Sequence, residues 1–202
     1  MTYPNASPGS YEKAKFPLSL SEVQAFCELC SWSVYHRMTK LLDVELVPGP
    51  LWGRSLAGIA RKGWGRQWDT IRAKEMSRAS GNCEYCGGRG VLVHEHWEYD
   101  DSKRVQYLAG LAVTCDKCSL VHHFGRAGVL GRENEALAHL MSVNRISQRD
   151  AELLVERAFD TWEMRSQKGW IQDISWLRSR ILDYGLTKDD LARAEQLLGF
   201  AS

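Results

Sequence analysis

Apolar residues recur at helical spacing along much of the chain. Behind Ser19 and Glu22, which match a capping box, they predict a helix over about 20–43. Pro48–Gly53 then interrupts the pattern with two prolines and two glycines. Further segments with the same periodicity predict helices over about 66–79, 133–143, 147–165, 172–184 and 187–198. The pattern therefore predicts a mostly helical protein.

The periodicity changes in the middle of the chain. The stretch GVLVHEHW (90–97) has the alternation of a short strand, and LAGLAVT (108–114) predicts a second one. The residues from Cys115 onward predict a short helix that closes at Gly125. We therefore expect an α+β fold, mostly helical, with one small β-containing module embedded between N-terminal and C-terminal helices.

Four regions follow from this division. We expect a flexible lead-in (1–18), an N-terminal helical region with a basic, Trp-containing segment (19–82), a metal-binding module (83–130) and a C-terminal helical region (131–202). An apolar fraction of 44% supports a buried core. The chain has neither an apolar run long enough to cross a membrane nor a signal-peptide pattern, which predicts a cytoplasmic protein without membrane contact.

The cysteines are concentrated in the β-containing module. Residues 83–126 contain four of the six cysteines and four of the six histidines. The cysteines form two Cys-x-x-Cys pairs, namely Cys83, Cys86, Cys115 and Cys118. Each pair can place two thiolates around one tetrahedral ion, and the segment between the pairs can hold two short strands. The spacing predicts a structural Zn²⁺ bound by these four residues.

Several polar residues have no role in a four-cysteine site: His94, Glu95, His96, His122 and His123. If a helix begins near Cys118, both later histidines lie on the helix face that also carries Ser119. The strand with the first three residues precedes that helix, so the two groups can meet across a cleft. Such a set can bind a second divalent ion and keep one imidazole as a general base. Solvated histidines or alternate zinc ligands are the other interpretation.

Residues 83–126 resemble the zinc-bound HNH (ββα-metal) endonuclease module. That family has a Cys-x-x-Cys knuckle, a strand ending in an acid–His or His–His pair, a second strand, another Cys-x-x-Cys and a short helix. The stretches HEHWEYDD, LAGLAVTC and VHHFGRAG are also similar to HNH-like bacterial and phage proteins. By this resemblance Glu95 is a ligand of the catalytic metal, His96 is the general base and His123 is the metal ligand on the helix.

The resemblance implies hydrolysis of phosphodiester bonds in nucleic acid, with DNA as the expected substrate. The catalytic ion is expected to be Mg²⁺, because Glu95 offers the oxygen ligand that a hard cation prefers. A site richer in histidine would also accept Mn²⁺. His94 defines a second register, in which it is the ligand or base, and His122 is a candidate replacement for a missing ligand.

Two departures from the family pattern keep other functions open. Ser119 stands where the family usually has an Asn or His ligand, and Gly110 lies near the place of the usual asparagine. One alternative is a non-catalytic, zinc-binding protein that binds DNA or RNA. Another is a protein-interaction module or phage regulator in which zinc only stabilises the fold.

The segment 51–80 is the basic part of a chain whose net charge is only +1. It interleaves Trp52, Trp64 and Trp68 with basic residues, of which we predict contact with nucleic-acid phosphates for Arg54, Arg61, Lys62 and Arg66. The tryptophans are expected in the core. Cys27 and Cys30, with His36, are interpreted as core residues of the first helix because no second cysteine pair completes a site there.

Overall fold

The computed structural model describes residues 41–199, and all of them lie in one compact unit. The α-helices, in chain order, are α1 (Leu56–Ile59), α2 (Gly65–Arg78), α3 (Asp116–His122), α4 (Phe124–Val129), α5 (Glu133–Asn144), α6 (Gln148–Ser166), α7 (Ser175–Ser179), α8 (Ile181–Tyr184) and α9 (Lys188–Leu198). A 3₁₀-helix (Gly49–Leu51) precedes α1, and a π-helical turn (Ala60–Trp64) joins α1 to α2. The strands are β1 (Leu92–Asp100), β2 (Val105–Thr114) and β3 (Ile171–Asp173). The fold is α+β, as the sequence predicts, but its small sheet has three strands where the sequence predicts two.

The sheet is built on an antiparallel hairpin of β1 and β2. Both strands extend beyond the predicted segments, and their register runs from Leu92 opposite Thr114 to Asp100 opposite Val105. A bulge interrupts the pairing between His96 and Trp97. The third strand, β3, runs parallel to β2 at the end of the hairpin nearest its turn.

The predicted helix over 172–184 is wrong. Its first residues form β3, and two short helices, α7 and α8, replace the rest. The amide of Gln172 is buried there and donates to Gln106 Oε1 at 2.8 Å and to the Arg54 carbonyl at 2.7 Å. These contacts join three distant segments, so local periodicity could not reveal them.

The other predicted helices within the described range are confirmed with shifts of a residue or so at their ends. The short helix after Cys115 is also present, but it is divided at His123, where the backbone leaves helical geometry and α4 begins. The lead-in and most of the first predicted helix, including Cys27, Cys30 and His36, lie outside the described residues. Residues 41–43, at the end of that predicted helix, are not helical.

The first hydrophobic core lies on one face of the hairpin. It joins α1 and α2 to the C-terminal helices α7, α8 and α9, and Leu108 of β2 belongs to it. Trp64 is fully buried in this core, and its Nε1 donates to the Asp190 carbonyl at 2.9 Å. Trp68 is buried as predicted, whereas Trp52 is 66% exposed. This core packs against one face of β1.

The second core joins the cysteine-containing segments to α3, α4, α5 and α6. Residues 41–48, which we call the strap, have no regular secondary structure and cross this part of the protein. Leu42 of the strap is anchored by Asn144, which accepts from its N–H at 3.0 Å and donates to its carbonyl at 2.7 Å. Further along, the Val47 carbonyl accepts from Trp162 Nε1 at 3.1 Å. The strap is therefore tied to both α5 and α6.

Within residues 41–199, no helix combines the length and the apolar character that a membrane span needs.

The anchoring of the strap can be tested at Asn144. We expect Asn144→Ala to lower the free energy of unfolding by about 2–4 kcal/mol, because it leaves the buried N–H and C=O of Leu42 without partners. Urea denaturation followed by circular dichroism measures the change. Asn134→Ala, at an exposed position of the same helix, should change stability by less than about 0.5 kcal/mol. Equal effects of the two changes would contradict the anchoring role.

Candidate metal centre

The four cysteines of the two Cys-x-x-Cys pairs converge in the structure. Their sulfur atoms all lie within 4.8 Å of one another, and Cys86 Sγ is 3.6 Å from Cys115 Sγ. Sulfur atoms on the corners of a tetrahedron around Zn²⁺ would be about 3.8 Å apart at ordinary Zn–S bond lengths. These four residues could therefore hold a metal ion such as zinc, and the identity of the ion stays a prediction.

Backbone hydrogen bonds hold each of the two Cys-x-x-Cys pairs in a defined geometry. In the first knuckle the Cys83 carbonyl accepts from the Gly87 N–H at 2.9 Å, and Gly87 adopts a positive φ of 73°. In the second half Cys115 caps α3, its sulfur accepting from the Cys118 N–H at 3.4 Å. The thiolates are thus presented by a tight turn and by a helix start, both of which direct N–H groups toward sulfur.

The thiols also perturb one another. A hydrogen bond from Cys118 lowers the pKa of the Cys83 thiol to about 4, against the opposing effect of burial. The same hydrogen bond, together with burial, raises the pKa of Cys118. Without a cation, ionisation of Cys83 opposes ionisation of Cys118. A bound cation favours the thiolate form of each ligand, so both residues could then be ionised.

His139 of α5 adds a contact that the sequence pattern did not predict. Its Nε2 lies 3.2 Å from Cys118 Sγ. Such a contact suits an imidazole N–H that donates to a metal-bound thiolate, the kind of outer contact that orients metal ligands. It also ties the cysteine cluster to α5, whose end anchors the strap.

A second group of candidate ligands lies beside the cysteine cluster and consists of Glu45, His94 and His122. Each of the three offers one ligand atom, and these atoms lie within 4.8 Å of one another. His94 Nε2 is 3.1 Å from Glu45 Oε2, and His122 Nδ1 is 3.5 Å from Glu45 Oε1. The rings of the two histidines are stacked with their centroids 4.1 Å apart. The set of one carboxylate and two imidazoles suits a divalent cation.

The fold brings these three residues together from separate segments. His94 lies on β1, His122 is the last residue of α3, and Glu45 lies on the strap, where its N–H donates to the His122 carbonyl at 2.9 Å. Cys118 is one helical turn before His122 on α3. Tyr85, from the first cysteine knuckle, packs edge-on against the His122 ring at 4.6 Å. The cysteine cluster and the second group are therefore held by the same elements, α3 and the first cysteine knuckle.

His122 gives the strongest indication of a ligand at this place. Its side chain is fully buried, and neither ring nitrogen has a hydrogen-bond partner within the described part of the chain. Burial, followed by the charge of His94, holds the pKa of His122 well below its ordinary value, which keeps the imidazole neutral. A buried polar atom without a partner is costly, and a neutral imidazole is the form that binds metal.

Glu45 carries the negative charge of the group. Burial opposes its ionisation, but the charges and hydrogen bonds of His94 and His96 outweigh this effect and hold its pKa well below the ordinary value. Its carboxylate is therefore ionised at neutral pH and suited to a cation.

His96 lies next to the three candidate ligands and is more accessible than two of them. Its Nδ1 is 3.1 Å from Glu45 Oε1, and its Nε2 is 3.8 Å from Glu98 Oε1. Its side chain is 28% exposed, compared with 6% for His94 and 0% for His122. Burial lowers the pKa of His96, but the hydrogen bond and charge of Glu45 outweigh burial and raise it.

His123 lies at the edge of the same group. Its ring centroid is 5.3 Å from that of His94, with the planes nearly perpendicular. Burial, helped by the charge of His94, lowers its pKa to about 4. Of the two helix histidines predicted as candidate ligands, the three-residue group contains His122 and not His123.

The structure places Glu95 away from the histidines, which corrects its predicted role as a metal ligand. Successive residues of a strand point to opposite faces, so Glu95 faces α1 while His94 and His96 face the strap. Its carboxylate accepts from the backbone N–H groups of Leu56 and Ala57, both at 2.9 Å. Burial raises its pKa against the effect of these hydrogen bonds. Glu95 therefore joins the hairpin to the first core.

Glu45 takes the position that the sequence interpretation gave to Glu95. It lies 49 residues before His94, and no spacing rule connects the strap to the cysteine pattern. Ser119, where the family usually has a ligand, is buried on α3, and its hydroxyl is a poor metal ligand. The sequence alone held no signal that could identify Glu45.

The four basic residues predicted to contact nucleic acid, Arg54, Arg61, Lys62 and Arg66, are exposed. They surround α1 and the turn Ala60–Trp64, next to the first core and so on the Glu95 face of the hairpin. The guanidinium of Arg54 also lies near Gly199, at the end of α9. Contact of these residues with nucleic acid stays a prediction, and they do not lie on the face that carries the histidines.

Comparisons of the chain with protein-family models, with curated proteins and with solved structures gave no match.

The cysteine cluster predicts one zinc ion per purified chain. We expect Cys83→Ser and Cys118→Ser to lose this zinc and to unfold the module, because a structural ion contributes folding free energy directly. Metal analysis by mass spectrometry, with circular dichroism for folding, measures both effects. Ser119→Ala is the control beside Cys118 and should retain full zinc content. Wild-type protein with well under one zinc per chain would end this assignment.

The different roles of the two glutamates predict opposite results for the same substitution. Glu45→Gln should weaken Mn²⁺ binding by at least tenfold, since the charged ligand is lost. Glu95→Gln should leave Mn²⁺ binding nearly unchanged and alter stability, because its carboxylate contacts only α1 and Trp97 among described residues. Isothermal titration of zinc-loaded protein with Mn²⁺, followed by thermal unfolding, separates the two. The reverse result would restore Glu95 as the ligand.

Proposed function

We propose that this protein is a metal-dependent endonuclease of the HNH (ββα-metal) type, which hydrolyses phosphodiester bonds in nucleic acid, with DNA as the expected substrate. The observation that carries the proposal is the group formed by Glu45, His94 and the unpartnered His122. It lies between the β1–β2 hairpin and α3, directly beside four cysteines that could hold zinc. Hairpin, helix and cysteine pairs occur in the order expected for such a module.

In this proposal the two groups of ligands have different roles, one structural and one catalytic. Zn²⁺ at the cysteines stabilises the knuckle and the start of α3, and thereby positions His122 one turn later. Glu45, His94 and His122 hold a second divalent ion, Mg²⁺ or Mn²⁺. When bound, that ion neutralises charge on the scissile phosphate and on the leaving oxygen.

His96 is the candidate general base. It lies beside Glu45 without belonging to the three-residue group, and its exposed fraction exceeds that of either histidine ligand. A general base must reach the attacking water, so an accessible imidazole next to the ion suits the role better than the enclosed rings of His94 and His122. Glu45 would orient the imidazole through its contact with Nδ1.

A non-catalytic zinc protein that binds nucleic acid is the second candidate. The observation that favours it is Ser119, a poor metal ligand at the position where the family usually has Asn or His. In that case the cysteine cluster stabilises the fold and the exposed basic residues 54–66 contact phosphates. Binding would then weaken uniformly when Arg61, Lys62 and Arg66 are reversed to Glu.

The endonuclease proposal predicts which single changes remove activity and how. His96→Ala should reduce Mn²⁺-dependent cleavage by about 10²–10⁴-fold while leaving metal content intact, since a general base contributes that much. His94→Ala and His122→Ala should lose both cleavage and Mn²⁺ binding. Cleavage of labelled single-stranded and duplex DNA and RNA, with Mg²⁺, Mn²⁺ or Ni²⁺, gives the rates, and titration calorimetry gives the binding.

Glu156→Ala, at an exposed position of α6, is the control and should match wild type in both measurements. If His94→Ala retained the metal and His96→Ala lost it, the roles of the two histidines would be exchanged. Background-level cleavage by zinc-loaded wild type with all three ions on all four substrates would end the enzyme proposal. The nucleic-acid-binding candidate would then replace it.

A further inference from the structure

The four cysteines of the candidate zinc site differ in their access to solvent. Cys83 and Cys118 are buried in the second core, with exposed fractions of 2% and 0%. Cys115 is partly exposed, and Cys86 is exposed. A small oxidant that diffuses in from solvent therefore meets Cys86 first and Cys115 next. Accessibility thus divides the cluster into one reachable pair and one enclosed pair.

The two accessible cysteines are also close enough to react with each other. Cys86 Sγ and Cys115 Sγ are 3.6 Å apart, and a disulfide bond needs them about 1.5 Å closer. Cys86 is followed directly by Gly87 and Gly88. A side-chain carbon at Gly88 would lie 3.4 Å from Cys86 Sγ, so its absence leaves this sulfur room to move. The movement toward Cys115 therefore falls on a side chain with open space beside it.

Contacts that do not involve sulfur keep this pair together when the metal ligands change. The Glu84 N–H donates to the Val113 carbonyl at 2.9 Å, and the Glu84 carboxylate accepts from the Val113 N–H at 2.8 Å. These bonds tie the first knuckle to the end of β2, two residues before Cys115. Cys86 is therefore held near Cys115 by the fold itself, in addition to any bound ion.

We propose that Cys86 and Cys115 are a site of oxidation by hydrogen peroxide, where a reversible disulfide bond replaces two of the zinc ligands. The Cys86 thiolate attacks one peroxide oxygen, so that an S–O bond forms, the O–O bond breaks and hydroxide leaves. The Cys115 thiolate then attacks this sulfur, an S–S bond forms, and the sulfenic oxygen leaves as a second hydroxide. The two sulfur atoms together lose two electrons, which the peroxide gains, and two protons from solvent convert the hydroxides to water.

The disulfide turns a complete set of zinc ligands into an incomplete one. A structural zinc site needs four ligands, and Cys83 and Cys118 supply only two. Loss of the ion lowers the stability of the knuckle and of α3, which begins at Asp116. Thiol reductants reverse the bond by exchange, so that the site can bind zinc again. This inference does not depend on the proposed endonuclease activity.

The test treats zinc-loaded, full-length wild type with hydrogen peroxide and follows zinc release with a colorimetric chelator. We expect release of one zinc per chain. Peptide mapping by mass spectrometry under non-reducing conditions should show a Cys86–Cys115 bond in the same proportion. Dithiothreitol with added Zn²⁺ should restore the original zinc content, because the disulfide is reversible.

Cys86→His separates disulfide formation from general damage by peroxide. Histidine can replace one cysteine in a four-ligand zinc site, and the position is exposed, so the larger ring can be accommodated. The variant should bind zinc and release it under peroxide about tenfold or more slowly than wild type, because an imidazole forms no disulfide. Ser119→Ala, which keeps all four cysteines, is the control and should release zinc at the wild-type rate.

A disulfide that joins Cys83 or Cys118, in place of the Cys86–Cys115 bond, would contradict the proposed pair. Zinc release from Cys86→His as fast as from wild type would overturn the proposal, as would a wild type that keeps its zinc under peroxide. If Cys86→His does not bind zinc, the peptide map of oxidised wild type decides alone. Cleavage of nucleic acid enters none of these measurements, so failure of the endonuclease proposal leaves this test unaffected.

Discussion

Successive side chains of β1 point to opposite faces of the hairpin, and each face is closed by a different core. His94 and His96 point toward the strap and α3, where the second core begins. Glu95 and Trp97 point toward α1 and the first core, and Trp97 Nε1 donates to Glu95 at 3.2 Å. A shift of one residue would exchange the two sets, so the hairpin register decides which side chains face Glu45 and His122. The bulge between His96 and Trp97 lies within this decisive stretch.

The candidate site combines interactions that oppose one another unless a cation is present. His122 is enclosed with two unpartnered ring nitrogens, each of which costs about 1–3 kcal/mol when left without a hydrogen bond. The thiols of Cys83 and Cys118 likewise compete for ionisation, since the hydrogen bond between them lowers the pKa of Cys83 and raises the pKa of Cys118. Ions at the two places would offset both costs, since each converts an unsatisfied donor set into ligands. Bound metal would therefore also account for the packing, beyond its role in the proposed chemistry.

Prediction from the sequence succeeded where the relevant contacts are local or have fixed spacing. The two Cys-x-x-Cys pairs specified their own convergence, and the alternation of 90–97 revealed the strand that carries His94 and His96. The meeting of that strand with the His122–His123 helix was also foreseen, because strand, strand and helix follow one another without long connections. The one helix that was predicted wrongly, over 172–184, begins instead with β3, where Gln172 bonds to its distant partners Gln106 and Arg54.

Glu45 could not be found in the same way, because its role depends on tertiary contacts. The strap has no periodicity that distinguishes it from a loop, and its path is fixed by Asn144, by the His122 carbonyl and by Trp162. The adjacent His94-Glu95-His96 sequence drew attention to Glu95, but neighbours in a strand cannot face the same ion from one side of a pleated sheet.

The finding that Glu45, and not Glu95, lies beside the histidines changes the interpretation of Ser119. A serine at this position is a poor metal ligand, and this is evidence against catalysis if all the ligands must come from the hairpin and α3. The strap brings the Glu45 carboxylate beside His122, on the same helix as Ser119, from outside those elements. In the proposed site Glu45 would take the place of a ligand at position 119, and the departure from the family pattern would then reflect how this chain completes the site. Asn144, which anchors the strap through Leu42, would in that case help to position Glu45.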